Sequence, residues 1–193
     1  MAASQSFIAE EVIAAYPFAK HRRLLDVGGG DGTFLRAVAA AAPELELHLF
    51  DLPAVAATAR RRFAQAGVAA EAHGGSFFDD PLPAGADLVT LVRVVHDHDD
   101  ESVLAILRAV RRAIAPDGTL LLAEPMAGTR GAEPIGAAYF GFYLWAMGSG
   151  RARTPAELGD LLAAAGFAAP RERATHRPLL VRLMEVRPAD GGL

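Results

Sequence analysis

The segment LLDVGGGDGTF, residues 24–34, joins an apolar run to a glycine-rich turn and then to a helical pattern. RRLLDV (22–27) predicts a strand, TFLRAVAAAA (33–42) predicts a helix and LELHLF (45–50) predicts a second strand. A glycine-rich turn between a strand and a helix lets backbone amides come close to a nucleotide-like ligand. The segment therefore predicts a β-α-β unit with a ligand site at its turn.

The alternation of strands and helices continues on both sides of this unit. Apolar residues at near-helical spacing predict a first helix over residues 4–20. The capping-box pattern of Thr154, Pro155 and Glu157 predicts the start of a later helix, and Gly166 predicts its end. The remaining predicted elements are a helix at 53–66, a strand near 68–73, a strand at 86–95, a helix at 100–115, a strand at 119–125, an aromatic-rich helix at 137–147 and two strands within 167–186.

This order of elements predicts an α/β, Rossmann-like, doubly wound fold. Strands that alternate with amphipathic helices form a mainly parallel sheet with helices on both faces. The two strand-like runs of the tail follow each other without a wide linker, which predicts a C-terminal antiparallel hairpin. We expect one domain over residues 1–193, because this length suits one sizeable core and is too short for two ordinary domains.

Composition excludes several functional classes. The chain has no cysteine, so it can form neither a disulfide framework nor a thiolate metal site. Its net charge of −4 provides no electrostatic basis for binding nucleic acid. No segment reaches the roughly 18 uninterrupted apolar residues of a membrane span, and the first residues lack the pattern of a secretory signal. We therefore expect a cytoplasmic protein.

The glycine pattern discriminates between nucleotide cofactors. A dinucleotide fingerprint G-x-G-x-x-G would need glycine at the position of Thr33, and no lysine follows the glycines as a Walker pattern requires. The turn instead reads D-x-G-x-G-x-G, which we expect to place the carboxylates of Asp26 and Asp31 beside the ligand. Carboxylates repel a pyrophosphate but attract the ammonium and sulfonium of S-adenosylmethionine. The predicted contacts of this cofactor are Asp26, Gly28, Gly30, Gly32 and Asp51, the last as acceptor for the ribose hydroxyls.

The stretch HDHDDE, residues 96–101, allows three interpretations. It nearly matches the H-x-H-x-D-H motif of a metal site, but Glu101 stands where that motif needs histidine, and the corresponding fold is a β-sandwich. Asp99 or Asp100 can cap the helix that follows. His96, just past the C-terminal end of the fourth strand, can remove a hydroxyl proton as a general base. We favour the general base for His96, assign no metal site and give His98 no role.

These motifs together resemble the class I S-adenosylmethionine-dependent O-methyltransferases of small molecules, the family of the plant phenylpropanoid and acetylserotonin enzymes. Within that family, YFGFYLWAMGSGRARTPAEL (139–158) is most similar to bacterial carotenoid enzymes that methylate hydroxyneurosporene and demethylspheroidene. The resemblance covers nearly the whole chain. It rests on LLDVGGGDG (24–32), LFDLP (49–53), GGSFFDDPLP (74–83), VVHDHDDE (94–101), GTLLLAEP (118–125) and GRARTPAEL (150–158).

The resemblance implies roles for individual residues. His96 and Asp97 match the family's H-D-W stretch, in which the histidine is the base, and Glu124 matches one of two acids that orient it. The second acid should fall at Ala152, so Asp97 is a candidate to replace it. Further cofactor contacts are implied at Leu52, Arg93, Ser76 and Phe77, the last two standing where many relatives have an acid and a methionine.

The aromatic segment 137–147 predicts an apolar acceptor site, with Phe140, Tyr143 and Met147 as its contacts. The expected substrate is a lipophilic small molecule with a hydroxyl group, a hydroxylated carotenoid in the first place. An aromatic phenol or a polyketide is the alternative substrate, and a catalytically silent S-adenosylmethionine-binding domain is the rival function.

The resemblance also implies partners. Members of the family carry a helical N-terminal domain that forms a homodimer and walls the acceptor pocket, whereas these 193 residues match only the catalytic domain. We therefore expect a homodimer only together with such a domain. Contact with a membrane is expected to be peripheral and to come through the substrate.

Overall fold

The computed structural model describes residues 2–129 and 150–190, with side chains from Gln5 onward. Five α-helices and seven strands are formed within these ranges. The helices are α1 (Ala2–Ala15), α2 (Thr33–Ala41), α3 (Pro53–Ala66), α4 (Asp100–Ala113) and α5 (Pro155–Ala164), with short 3-10 turns at Phe18–Lys20 and Val95–Asp97. The strands are β1 (Arg23–Val27), β2 (Glu46–Asp51), β3 (Ala70–Gly74), β4 (Ala86–Val92), β5 (Ile114–Glu124), β6 (Arg171–Arg173) and β7 (Arg182–Val186).

The strands form one sheet in the order β3-β2-β1-β4-β5-β7-β6. The first five strands are parallel, β7 runs antiparallel to β5, and β6 runs antiparallel to β7. The predicted mainly parallel sheet with a C-terminal antiparallel hairpin is therefore confirmed. Strands β2 and β3 extend the sheet on one side of β1, and β4 and β5 extend it on the other side. The order of the strands therefore reverses at the boundary between β1 and β4.

Helices cover both faces of the sheet because its central strands are apolar on both sides. Leu24, Leu47 and Leu49 belong to a buried cluster that includes apolar side chains of α1, α2 and α3. Leu25 and Phe50, with opposite orientation on the same strands, belong to a second cluster that includes side chains of α4 and α5. The site described below lies where these packed layers end, at the carboxyl edge of the parallel strands.

Capping residues set the N-termini of two helices as predicted. Thr154 accepts a hydrogen bond from the Glu157 amide, and the Glu157 side chain accepts one from the Thr154 amide, which completes the capping box of α5. Asp99 caps α4 by accepting from the Ser102 amide at 2.8 Å. Of the two acids considered for that cap, Asp99 is therefore the one that serves.

Three predicted boundaries differ from the structure by three residues or more. The first helix ends at Ala15 rather than at residue 20, because Pro17 cannot continue it. The strand predicted over 86–95 ends at Val92, because Arg93 takes a left-handed conformation with φ 58° and turns the chain out of the sheet. Strand β5 begins at Ile114 rather than 119, since Ile114 pairs with Ala86 before the register shifts.

No helix in the described part of the chain is both long and apolar enough to cross a lipid bilayer.

Candidate active site

The candidate site lies at the carboxyl ends of β1, β2 and β4, where the order of the strands reverses. Loops that follow such strands diverge and leave a crevice, which is where open α/β sheets bind their ligands. Two cavities of about 160 Å³ and 330 Å³ open in this region. Gly28, Arg93 and Asp97 line both cavities, so the two are neighbouring parts of one cleft.

The glycine turn after β1 requires glycine for two different reasons. Gly28, Gly30 and Gly32 have φ values of +71°, +61° and +79°, which other L-residues rarely adopt. A Cβ atom at Gly30 would meet no atom within 4 Å, and this residue lines the smaller cavity. A Cβ atom at Gly32 would collide with the ring of Phe63, and Gly32 lines neither cavity. The structure thus gives Gly32 a packing role beneath the turn.

Asp51 connects the end of β2 to this turn. Its Oδ2 atom accepts a hydrogen bond from the Gly30 amide at 2.8 Å, and its Oδ1 atom accepts one from the Leu52 amide at 2.7 Å. Asp51 and Leu52 line the larger cavity, and the Leu52 side chain is 56% exposed. A carboxylate that accepts hydrogen bonds suits the hydroxyl groups of a sugar, and an exposed apolar side chain beside it suits a flat ring. The pair therefore suits a ligand that contains both.

Asp26 is the buried acid of the site. Its Oδ1 atom accepts a hydrogen bond from the Thr90 hydroxyl at 2.6 Å, and its Oδ2 atom has no hydrogen-bond partner within the described residues. Burial raises the pKa of Asp26 from 3.8 to about 7, and the nearby Asp51 carboxylate adds to this increase. Asp26 lines the smaller cavity, and its unpartnered oxygen is buried there.

The second acid of the turn, Asp31, lines neither cavity, contrary to the expectation that it lies beside the ligand. The Oδ1 atom of Asp31 accepts hydrogen bonds from the amide and the hydroxyl of Thr33, and its Oδ2 atom forms an ion pair with Arg62. These contacts hold Asp31 against α2 and α3, away from both cavities. The pKa of Asp31 is lowered by the hydrogen bonds from Thr33 and by the positive charges of Arg62 and Arg36, despite the opposing effect of burial.

Arg93 occupies the junction of the two cavities. It is the one described residue other than glycine with a positive φ, a conformation that is uncommon for a residue with a side chain. Its amide donates to the carbonyl of Ala123 at 2.9 Å, which holds the turn against β5. This uncommon backbone conformation therefore occurs at a residue that lines both cavities.

The turn after β4 presents His96 to the cleft, and Glu124 at the end of β5 supports it. The Nδ1 atom of His96 lies 2.7 Å from Oε2 of Glu124, and both side chains are buried. The other carboxylate oxygen, Oε1, accepts from the amides of Val94 and Val95 at 2.9 and 2.7 Å. An ionised carboxylate can only accept hydrogen bonds, so an ionised Glu124 takes the proton of Nδ1 and leaves Nε2 of His96 as the basic atom.

The Nε2 atom of His96 faces Asp97, whose Oδ1 atom lies 3.2 Å away. Both residues line the smaller cavity. A carboxylate at this distance attracts Nε2 once that atom carries a proton, so the imidazolium form of His96 would lie between two acids. Asp97 therefore remains the candidate to replace the acid that the resemblance expects at Ala152.

Arg153 was missed by the sequence analysis although it is adjacent to Ala152. Its buried guanidinium donates to the carbonyl oxygens of Val95 at 3.0 Å and His98 at 2.7 Å, and to Asp100 at 2.7 Å. These contacts hold both ends of the turn that carries His96. A lone arginine in a loop gives no signal of this in sequence, since the two carbonyls lie more than 50 residues away.

His98 forms part of the wall of the larger cavity. Its ring contacts the rings of Phe77 and Phe78 edge to face, at centroid distances of 5.6 and 5.7 Å. Burial lowers the pKa of His98, which favours the neutral imidazole. No role was predicted for His98, whereas the structure places it beside Ser76 and Phe77 in the predicted cofactor region.

Most predicted site residues come together, and some lie outside the described residues. Phe140, Tyr143 and Met147, the predicted acceptor contacts, fall within the undescribed range 130–149. Several cavity residues were missed because their types are ordinary in a helix or a loop: Gln5 and Ile8 of α1, Phe34 of α2, and Gly29, Gly75, Phe78, Val92 and Val94. Only the tertiary arrangement brings these residues to the cleft.

An open, mainly parallel α/β sheet with a glycine turn and a second-strand acid at its switch point defines a class of proteins that bind nucleotide-like cofactors. Comparison with known proteins narrows this class. The chain belongs to the O-methyltransferase domain family, whose model matches residues 1–168.

Individual relatives support this assignment. The chain is 45% identical over 195 residues to demethylspheroidene O-methyltransferase of Cereibacter sphaeroides, covering 98% of this chain and 51% of the relative. It is 36% identical to a phenazine O-methyltransferase of Lysobacter antibioticus, covering 94% and 52% of the two chains. The solved O-methyltransferase of neocarzinostatin biosynthesis, in complex with S-adenosylmethionine and 2-hydroxy-5-methyl naphthoic acid, superposes with a TM-score of 0.79 at 38% identity over 93% of this chain and 52% of that one. The chain thus spans about half the length of the curated relatives it matches.

Proposed function

We propose that this protein is an S-adenosylmethionine-dependent O-methyltransferase that acts on a hydroxyl group of a lipophilic small molecule. The observation that carries the proposal is the buried His96–Glu124 pair, in which Glu124 holds Nδ1 and leaves Nε2 of His96 available as a base in a residue that lines a cavity beside the glycine turn. The family match and the solved relative with S-adenosylmethionine bound support the choice of cofactor.

The residues of the cleft suit S-adenosylmethionine. The free oxygen of Asp26 can bind the ammonium group of the cofactor, and Asp51 can accept from the ribose hydroxyls. The open space at Gly30 lets the backbone approach the ligand without a side chain between them. Leu52, Phe77 and Phe78 provide apolar contact for an adenine ring.

The cofactor, when bound, supplies an electrophilic methyl group on a sulfonium. The protein's own residues supply the proton acceptor and its orientation. Nε2 of His96 takes the proton of the acceptor hydroxyl, and Glu124 holds Nδ1–H so that the ring cannot rotate or change tautomer. Asp97, 3.2 Å from Nε2, stabilises the imidazolium that results. We assign no metal ion to this step, because one base and two carboxylates account for the proton transfer.

For the acceptor, we propose a hydroxylated carotenoid, supported by the 45% identity to demethylspheroidene O-methyltransferase. An aromatic phenol or a polyketide is the alternative, supported by the naphthoic acid in the solved relative. A domain that binds S-adenosylmethionine without catalysis is the rival from another class, favoured by the absence of an acid at Ala152. The cytoplasmic location and the homodimer, with peripheral membrane contact through the substrate, also stay proposals that derive from the sequence and the family resemblance.

Two measurements test the proposal. Calorimetry should show one S-adenosylmethionine bound per chain and no binding of NAD, with Asp51→Ala weakening affinity by about 1–3 kcal/mol because the ribose acceptor is lost. Methyl transfer should then be assayed by mass spectrometry against a tertiary-hydroxyl carotenoid and a panel of phenols. Tight NAD binding would overturn the cofactor assignment, and cofactor binding without transfer to any acceptor would favour the silent domain.

A further inference from the structure

We propose that His48, Glu71 and His73 form a binding site for a divalent transition-metal ion such as Zn²⁺, separate from the cleft. One ligand atom of each residue lies within 4.8 Å of the ligand atoms of the other two. None of the three lines either cavity of the candidate active site. The inference is therefore independent of the proposed function.

Strand geometry places the three side chains on one face of the sheet. β2 and β3 pair in parallel, with His48 opposite Glu71 and Phe50 opposite His73. Alternate residues of a strand point to the same face, so His48 and Phe50 share one face of β2, and Glu71 and His73 share one face of β3. Because these residues pair with one another across the two strands, all four lie on the same face of the sheet. His48 and His73 are diagonal neighbours across the strand pair, a position from which long side chains can meet.

The distances between the ligand atoms match those of a tetrahedral site. Nδ1 of His48 and Nε2 of His73 are 3.0 Å apart, and Oε2 of Glu71 lies 3.7 and 3.6 Å from these two atoms. In a tetrahedral zinc site with bonds of about 2.0–2.1 Å, neighbouring ligand atoms are separated by roughly 3.3 Å. One of the three observed distances is shorter than this value and two are longer. Small side-chain movements would therefore bring the three ligand atoms to the spacing of a coordination sphere.

Glu46 fixes the ring of His48 in the orientation that binding needs. Its Oε1 atom lies 2.8 Å from Nε2 of His48, and its Oε2 atom accepts from Arg23 at 2.9 Å. A proton on Nε2 that is donated to Glu46 leaves the lone pair of His48 Nδ1 directed at His73 and Glu71. This carboxylate–histidine arrangement is the one that orients metal-bound imidazoles in proteins.

The surroundings leave room for a further ligand. The two rings stack at 5.3 Å between centroids, and a small cavity lined by Pro83 and Ala84 adjoins them. The Glu71 side chain is 71% exposed, so water can reach the fourth position of the ion.

Binding at this site would tie the edge strand β3 to β2. An ion that binds the folded protein and not the unfolded chain raises the free energy of unfolding in proportion to the logarithm of its concentration. We expect Zn²⁺ to raise the unfolding temperature of the protein, and the ion to have no part in methyl transfer.

The test is calorimetric titration of the metal-free full chain with Zn²⁺ alone. We expect one ion per chain, and at least tenfold weaker binding for His73→Ala and for Glu71→Gln. We expect about tenfold weaker binding for Glu46→Ala, which removes no ligand atom but removes the orienting contact to His48 together with the ion pair to Arg23. His176→Ala is the matched control, because that histidine is 82% exposed and lies on another part of the surface. It should bind as the parent protein does.

Two further measurements keep the result interpretable. Circular dichroism of each variant without metal verifies the fold, and Glu71→Gln removes a ligand from an exposed position where the fold tolerates the change. His96→Ala should retain the single ion, which separates this site from the catalytic histidine. The proposal is overturned if the parent protein takes up no Zn²⁺, or if His73→Ala and Glu71→Gln bind as tightly as the parent.

Discussion

The Glu124 carboxylate accepts from Nδ1 of His96 with one oxygen and from the amides of Val94 and Val95 with the other. A single buried side chain at the end of β5 therefore determines both the path of the turn after β4 and the tautomer of the histidine it carries. The histidine and its turn cannot be positioned separately, because one carboxylate holds both.

Glu124→Gln tests this arrangement with little change in shape. The glutamine oxygen can still accept from the two amides, but its NH₂ group would donate to Nδ1 of His96 and move the ring proton to Nε2. We expect turnover to fall by about 10²–10⁴-fold with cofactor affinity nearly unchanged. Steady-state kinetics and calorimetry measure the two quantities, and unchanged turnover would show that the tautomer of His96 does not matter.

His96→Ala and His98→Ala should affect different quantities. His96→Ala removes the base and should lower turnover by about 10²–10⁴-fold while leaving cofactor affinity nearly intact. His98→Ala removes a ring that packs on Phe77 and Phe78, so it should weaken cofactor binding and change turnover only mildly. A chelator should leave methyl transfer intact. Equal loss of turnover in both variants, restored by zinc, would support a catalytic metal instead.

Gly30→Ala and Gly32→Ala form a matched pair, since both residues have a positive φ and both substitutions incur backbone strain of about 1–2 kcal/mol. At Gly30 the new methyl group meets open space in the cavity, so the fold should persist and cofactor binding should be lost. At Gly32 it collides with Phe63, which should add about 1–3 kcal/mol of destabilisation. Denaturant unfolding and calorimetry compare the two, and equal stability would contradict the packing role of Gly32.

Asp26 should make both stability and cofactor affinity depend on pH. Its pKa rises on folding from 3.8 to about 7, so the folded protein retains a proton that the unfolded chain releases. This contribution to stability is complete below pH 3.8 and is lost as the pH rises through about 7. Asp26→Asn should therefore gain stability relative to the parent between these values, as measured by denaturant unfolding at several pH values.

Cofactor binding should follow the opposite trend. Ionisation of Asp26 creates the charge that attracts the cationic groups of S-adenosylmethionine, so affinity should increase as the pH rises through about 7. Asp26→Asn should remove this component of the increase. Parallel pH profiles for the parent and the variant would argue against a contact between Asp26 and the cofactor.

The sequence by itself determined the order of the elements and the type of cofactor site. Hydrophobic periodicity, the glycine turn and the capping box at Thr154 are local patterns, and each reflects contacts between residues close in the chain. The end of β4 at Val92 was missed because it coincides with a turn at Arg93 whose amide bonds to Ala123 of β5. Local propensity carries no information about that distant strand.

Only the tertiary structure decided what the charged groups do. In sequence, Asp26 and Asp31 are equivalent acids of one motif, yet Asp26 is buried at the cleft and Asp31 turns to Arg62. The residues around His96 allow a metal ligand or a general base, and the tertiary structure adds that Glu124, 28 residues later, holds the Nδ1 atom of His96. The function of an ionisable side chain depends on its burial and its partners, and both are set by the packing of strands that are far apart in the chain.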